Sequence, residues 1–357
     1  MSRPVELYDL MDELRSQAAT GQSASARPVV LPRLGVRGAQ ITARLPAGEV
    51  AVRIRGINRS GFQHRPSLRE AGFGDGSLDA VRDELVCWQR DWKVAMVRLP
   101  LAQDLYRERP SYRAEVGILV EAAAAAGVYA LLEIHGTSRD LNARQPDADT
   151  PALWAELAQR FGAEPHVLFD LWNEPHDVGW PEWRERAEGL LRALREAGAR
   201  ETPVVVGGLD WAYDLSVLSD PDARIDESLG PVIYATHAYP WKGNPAHGPA
   251  EWDQRFGRIA REVPVLVAEF GADCGDDVAG GAPFRFRERA AAAAWLTTLL
   301  GYLDAAGLSA LAWSAGDAPH LCAGTAGGRV TLPSSPPDPS VPTDPFGTTV
   351  QRWLTSR

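Results

Sequence analysis

A closed eight-stranded α/β barrel, preceded by a short N-terminal helical extension, is the fold this sequence predicts. Three observations point to it. Eight apolar β-type runs alternate with eight helical runs in one uninterrupted order, which implies parallel strands joined by helical crossovers. No Gly-rich phosphate loop follows the first run, which puts the open doubly wound sheet second. Polar and aromatic side chains gather at the carboxyl ends of the runs, the face on which a (β/α)8 TIM barrel carries its site. The chain has 357 residues, 45% of them hydrophobic, enough for one large core. Barrels of this type routinely exceed the usual domain size. The expected organisation is therefore an extension over residues 1–30, a short helix plus linker, and a catalytic barrel over 31–357.

The elements follow in order. Leu7, Leu10, Met11 and Leu14 recur at helical spacing within residues 5–16, and "ATGQSASARP" then reads as a flexible linker. The strand-like runs are "VAVRIRGIN" (50–58), "VAMVRLP" (94–100), "VYALLEIHG" (128–136) and "VLFDLWNE" (167–174). They continue with "PVVVGG" (203–208), "PVIYATHAY" (231–239), "VPVLVAEFG" (263–271) and "LSALAWSAG" (308–316). Good helix formers fill 77–91, 111–126, 150–161, 180–198, roughly 211–218, 250–261, 284–306 and about 346–355. The proline-rich "LPSSPPDPSVPTDPFG" (332–347) is expected to be irregular, lying over the barrel mouth, along its rim or as a surface linker.

Composition bounds the function. Lys plus Arg number 37 against 47 Asp plus Glu, a net charge of −10, which argues against the basic footprint a nucleic-acid binder needs. No apolar run reaches the length of a membrane span, and acids interrupt every apolar run near the start. Cys87, Cys274 and Cys322 are an odd number at no metal-ligand spacing, so a reduced, cytoplasmic protein is expected. Cys274 and Cys322 both follow late strands and could lie near each other.

Asn58, Arg98, His135, Asn173 with Glu174, His237 with Tyr239, Glu269 and Trp313 stand at the carboxyl ends of the runs. Glu174 follows the fourth strand and Glu269 the seventh, which face each other across an eight-stranded barrel. Two carboxylates flanking one bond are what glycoside hydrolysis requires: one protonates the leaving oxygen, and the other attacks or activates water. Asp170 and Glu133 share a strand face with Glu174 and His135 and are read as structural, with Arg53 and Arg55 as possible partners. Trp180, Trp211 and Trp241 follow the fourth, fifth and sixth strands and could extend a sugar platform or pack within loops. Trp92, Trp154, Trp252, Trp295 and Trp353 read as residues packing around the barrel.

Taken together, "RGINRSGFQ", "MVRLP", "LLEIHG", "LWNEP", "YATHAY", "LVAEFG" and "LAWSAGD" resemble the successive strand-end motifs of glycoside hydrolase family 5, cellulase-type retaining β-glycosidases. The resemblance covers about residues 45–355. It implies Glu174 as acid/base and Glu269 as nucleophile, with Arg98 and Tyr239 hydrogen-bonding the nucleophile. It also implies Asn173 on the sugar 2-hydroxyl, His135 and His237 lining the site, Trp313 beneath the sugar, and a cis peptide at Trp313–Ser314. The implied reaction is double displacement through a glycosyl-enzyme, with the carboxyl groups about 5–5.5 Å apart against roughly 6.5–9.5 Å for inversion. No cofactor and no metal are expected. The expected partner is a β-linked carbohydrate of the β-1,4-glucan or cello-oligosaccharide type. The sequence departs from the family at "LLEIHG", which lacks the tryptophan often beside that histidine, and in its N-terminal extension.

Alternatives stay open at this level. One is an intracellular β-glycosidase acting on a glycosylated metabolite, and another is a mannosidase of the same fold. A non-catalytic sugar-binding barrel would need one carboxylate lost, and both are present. From another class, a metal-dependent barrel hydrolase would use His135, Glu133, His237 and Asp177, although the His-x-His it wants on the first strand is missing from "RIRGIN".

Overall fold

The computed structural model describes residues 4–20, 30–243, 246–272, 286, 288–324 and 337–356. Eight parallel strands close into a barrel in chain order: β5 (Arg55–Asn58), β6 (Met96–Leu101), β7 (Tyr129–Ile134), β8 (Val167–Asp170), β9 (Val204–Gly207), β10 (Val232–Ala238), β11 (Val265–Phe270) and β12 (Ser309–Ala312). β12 pairs with β5, Ala310 opposite Arg55, which closes the ring. These strands are buried on both faces, the reason they read as continuous apolar runs rather than alternating ones.

Side-chain alternation still sorts the two faces. Val97 and Leu99 point outward into the layer shared with the helices, where Trp88, Trp92, Trp154 and Trp183 are buried. Met96, Leu131, Leu168, Val205, Ile233, Leu266 and Leu311 form an apolar inner cluster. Above it, toward the carboxyl ends of the strands, stand Asn58, Arg98, Glu133 and Asp170, all buried.

The run at 50–58 is two strands rather than one. β4 (Gly48–Arg53) belongs to a four-stranded sheet with β1 (Val5–Glu6), β2 (Leu34–Arg37) and β3 (Gln40–Leu45), and the chain breaks at Ile54 before entering the barrel as β5. The antiparallel hairpins β2–β3 and β3–β4 were not anticipated. The helix Leu7–Thr20 follows β1, and its Leu7, Tyr8 and Met11 pack into the same cluster as the lower inward-facing barrel residues. The linker expected after it falls on residues 21–29, outside the described residues.

Three further expectations need correction. Residues 211–218 form no continuous helix: a tight turn with Asp210, Trp211 and Ala212 at φ 56–57° precedes a 3-10 turn at Ser216–Ser219. The run 250–261 breaks into Pro249–Trp252, a π-helical segment Asp253–Gly257 and a 3-10 turn Ile259–Arg261. A Cβ on Gly257 would lie 1.7 Å from the Tyr302 hydroxyl, so only glycine admits that ring. The proline-rich segment is partly regular, since β14 (Pro337–Pro342) pairs antiparallel with β13 (Cys322–Gly324). A two-stranded ribbon tolerates proline on an edge that needs no N–H donor. The indole N–H of Trp92 donates to Pro339 O at 2.9 Å, placing this ribbon against the helix Leu78–Trp92. Cys274 lies outside the described residues. No helix among the described residues is long and apolar enough to cross a membrane.

Candidate active site

Arg98 organises the site. It projects from β6 into the lumen, fully buried, and spends its whole guanidinium on neighbours. Nε donates to Asp170 Oδ2 at 2.8 Å, and Nη1 donates to Asn58 Oδ1 at 3.0 Å and Glu269 Oε1 at 2.6 Å. Nη2 donates to Asn173 Oδ1 at 3.0 Å and lies 3.6 Å from Glu133. The buried acids Asp170 and Glu133 are thus partnered by Arg98, not by Arg53 or Arg55. Those two turn to the other end, where both reach Asp304 and Glu6. Burial opposes the Arg98 charge, but the Glu133, Asp170 and Glu269 carboxylates outweigh it and hold the arginine firmly protonated.

Glu269 stands near the end of β11, 3% exposed. Its Oε1 accepts from Arg98 and its Oε2 from the Tyr239 hydroxyl at 2.7 Å. Burial and the nearby carboxylates push the Tyr239 phenol well above its ordinary pKa, so it stays a donor. Trp241 stacks on Tyr239 with centroids 4.1 Å apart and fixes the direction of that hydroxyl.

β8 ends at Asp170, short of the 167–174 run expected from the sequence, and Glu174 stands beyond it in the segment Asn173-Glu174-Pro175. His237 Nδ1 is 2.9 Å from Glu174 Oε1 and 3.6 Å from Glu269 Oε2. A register shift in β10 between Thr236 and His237 brings His237 opposite Glu269 and turns its ring between the two acids. Burial drives the His237 pKa down to about 3, so the ring is neutral and Nδ1 carries the proton donated to Glu174. Its Nε2 is buried without a hydrogen bond. An oxygen of Glu174 and one of Glu269 lie within 4.8 Å of each other and of His237 Nδ1.

Burial raises the Glu174 pKa, opposed first by the ammonium of Lys242 and then by His135. His135 donates from Nδ1 to Glu133 Oε2 at 3.0 Å, and its Nε2 lies 3.3 Å from Asn173 Nδ2. Burial pulls His135 down, but the Glu133 carboxylate wins and raises it. Trp313 directly follows β12 and stacks on His135 at 5.3 Å, and the Trp313–Ser314 peptide is cis. The eight residues implied by the resemblance, Arg98, His135, Asn173, Glu174, His237, Tyr239, Glu269 and Trp313, therefore meet in one cleft. Sequence reasoning did not single out Lys242, His176 or the backing role of Trp241. "PWK" follows Tyr239 directly and was readable, but a loop residue carries no periodicity that aims it.

Trp180 is buried at the start of the helix Trp180–Glu196, its indole donating to Ala223 O at 2.7 Å, which makes it packing. Trp211 and Trp241 remain half-buried at the cleft side. Among the described residues, the group whose spacing would admit a cation is Glu174, His237 and Glu269. Both oxygens of Glu269 are already held by Arg98 and Tyr239, so that set suits a fixed anion better than a metal ligand. Asp177 stands apart, half-exposed and paired with Arg144 at 3.4 Å.

A sequence model of the family described as Cellulase (glycosyl hydrolase family 5) matches residues 82–319. Endoglucanase MaCel5A of Microbulbifer sp. (strain ALW1) is 27% identical over 246 residues, 65% of this chain and 44% of that protein. Endoglucanase N of Pectobacterium atrosepticum is 26% identical over 287 residues, 78% of this chain and 56% of that protein. The chain spans about half the length of these curated relatives. Among solved structures, β-glucanase SdGluc5_26A from Saccharophagus degradans in complex with cellotetraose superposes with a TM-score of 0.71 at 19% identity, covering 93% of this chain and 96% of that one. The catalytic domain of Thermobifida fusca endoglucanase Cel5A (E5) gives 0.65 at 19% identity over 91% and 97%. Both likenesses establish the shared (β/α)8 barrel.

Proposed function

The chain belongs to glycosyl hydrolase family 5, and from that premise we propose that it is a retaining β-glycosidase working by double displacement. The observation that carries the reading is the paired geometry. Glu174 and Glu269 present oxygens within 4.8 Å across one cleft, each in a different environment. A spacing this short favours retention, because inversion needs room for a water between sugar and base. Glu269, held by a guanidinium and a phenol, suits the nucleophile, since those two hydrogen bonds fix the direction of its oxygens. Glu174, raised by burial, suits the acid that holds its proton until the leaving oxygen takes it.

In the first step a Glu269 oxygen bonds to the anomeric carbon while Glu174 gives its proton to the departing oxygen. In the second, Glu174 takes a proton from water, which attacks the same carbon and frees Glu269. Asn173 has its Oδ1 committed to Arg98 and one Nδ2 hydrogen directed at His135 Nε2, leaving the other to donate to the sugar 2-hydroxyl. Trp313 offers its ring to the apolar face of the sugar. The substrate we propose is a β-1,4-glucan or cello-oligosaccharide. Support comes from the endoglucanase names of the relatives and from the cellotetraose bound to the S. degradans enzyme. The cytoplasmic location expected from the sequence belongs to the same proposal, and fractionation of the producing cells tests it.

The roles separate in an azide experiment on a dinitrophenyl β-cellobioside, whose leaving group departs without protonation. Glu174→Ala should form the glycosyl-enzyme and stall, and azide should then give the β-glycosyl azide. Glu269→Ala should fail at the first step, and azide in the vacated place should give the α-azide. The same anomer from both variants, or full activity in either, would overturn the assignment.

A further inference from the structure

We propose that Lys242 is a positioning residue for Glu174, acting both through the turn it pins beside that glutamate and through its own charge. The proposal rests on the acid/base reading of Glu174. Lys242 follows β10 three residues after Tyr239, within the turn Pro240–Lys242, and reaches back across the cleft side to the loop after β9. Its ammonium donates to Asp210 O at 2.5 Å and lies 3.5 Å from Trp211 O. It also sits over the rings of Trp211, 5.2 Å from the centroid, and Tyr213, 5.7 Å from the centroid.

The loop it grips is an unusual one. Asp210, Trp211 and Ala212 are three consecutive non-glycine residues in the left-handed region, which each side chain resists. Leu209 and Asp214 close the turn with reciprocal backbone hydrogen bonds of 3.1 and 2.9 Å. Such a conformation persists where the surroundings over-determine it. Here the ammonium donates to the Asp210 and Trp211 carbonyls and so ties the turn to the segment after β10. The turn in turn sets Trp211, whose indole donates to Asn142 Oδ1 at 3.0 Å and stacks on His176 at 4.5 Å with the planes 10° apart. His176 Nδ1 lies 2.8 Å from the backbone oxygen of Glu174. A continuous chain of contacts thus runs from the Lys242 ammonium to the main chain of the acid.

The charge acts on the carboxyl itself. His237, Lys242, His135, Arg98, His176, Tyr239 and Glu269 are the titratable groups that face Glu174 or its neighbour acid, and the Tyr239 phenol is held neutral. His237 is neutral, and Arg98 is committed to Glu133, Asp170 and Glu269. Lys242 is left as the leading cation opposing the rise that burial imposes on Glu174. The reciprocal effect is present: burial pulls Lys242 below the ordinary lysine range, and Glu174 is the first group pushing it back up. An acid/base must be protonated in the first step and ionised in the second, so a carboxyl pushed too high would stall at the glycosyl-enzyme. Lys242 limits that rise.

The test is a titration of the Glu174 carboxyl in protein carrying 13C-labelled glutamate, its signal identified by its loss in Glu174→Gln. Lys242→Met should move the Glu174 titration upward by about half to one pH unit, the effect expected for removing a partly buried opposite charge. Lys242→Arg should leave it within about 0.2 units because the charge remains. Lys242→Gln keeps a donor for the two carbonyls without the charge and should shift the titration like the Met variant, which covers the case that Lys242→Met folds poorly. With p-nitrophenyl β-cellobioside, the basic limb of kcat/KM should move by the same amount. Mere loosening of the loop would lower the rate without moving the limb. An unmoved titration in folded Lys242→Met and Lys242→Gln would overturn the proposal. Full activity of Glu174→Ala would instead overturn the acid/base reading and leave the titration result standing.

Discussion

Asp170 accepts a hydrogen bond from Arg98, yet burial pushes its pKa up from the ordinary 3.8 to about 7, with Glu133 and Glu269 adding to the rise. A carboxyl raised in the folded state stabilises the fold in its protonated form. That contribution is complete below the unfolded value and is lost as pH climbs through the folded one. Unfolding free energy should therefore decline between about pH 4 and pH 7 as Asp170 is made to ionise in place. Asp170→Asn should flatten that decline, which urea titrations at pH 4, 5.5 and 7 would check. An equally steep decline in the variant would assign it to another group. Which side chains gather at the cleft was legible at this scale, because the two-residue period of a strand tells which residues share a face. Height in the lumen was not. Arg53 and Arg55 looked like partners for Asp170 and Glu133, yet they sit near the start of the barrel strand and turn to Glu6 and Asp304, a full layer away from Arg98.

At the scale of elements, the alternation of strand and helix was readable because each barrel strand is buried on both faces and each crossover helix is bounded. Ser77 caps Leu78–Trp92, accepting from Ala80 N–H, and Gly127 ends Pro110–Ala126 in the left-handed region. The hairpin β2–β3 was missed because "LGVRGAQITARL" lacks a continuous apolar run and its strands are half-buried. The break at Ile54 was missed because both sides of it are strand, and only the pairing partner changes from β3 to β12 and β6. That entry into the barrel supplies a prediction. A Cβ on Gly56 would fall 2.0 Å from Met96 O and 2.9 Å from a Leu311 methyl. Backbone on one side and packed core on the other leave nowhere to move, so Gly56→Ala should destabilise by about 3 kcal/mol or more. The midpoint of chemical denaturation measures it, and a midpoint equal to that of the parent would mean the strand can shift at no cost.

Across the whole molecule the lumen is graded. Its lower layer is aliphatic, from Met96, Leu131, Leu168, Val205, Ile233 and Leu266, and its upper layer is the network around Arg98. The aliphatic layer separates the two cleft acids, Glu174 and Glu269, from the barrel floor, and the floor is closed by the N-terminal helix and the β1–β4 sheet. Leu7 and Met11 are fully buried there and Tyr8 nearly so, while Glu6 pairs with the buried Arg53 and with Arg55. Removing residues 1–20 would delete the three apolar side chains that cover the floor and expose the surface beneath them, losing about 1.5–3 kcal/mol for each burial. The helix gives back its ordering entropy, so the net loss should be about 3 kcal/mol rather than the full sum. Among the described residues the upper network is bonded within itself, Arg98, Asn173, His237, Tyr239 and Glu269 taking their partners from one another and from Asn58. The truncated chain should therefore melt at lower temperature and yet, well below its transition, turn over a soluble aryl β-cellobioside at a rate within about twofold of the full chain. Unchanged melting would mean the segment does not hold the floor in solution. A large loss of rate in a chain still folded would mean that the aliphatic layer transmits the state of the floor to the acids above it.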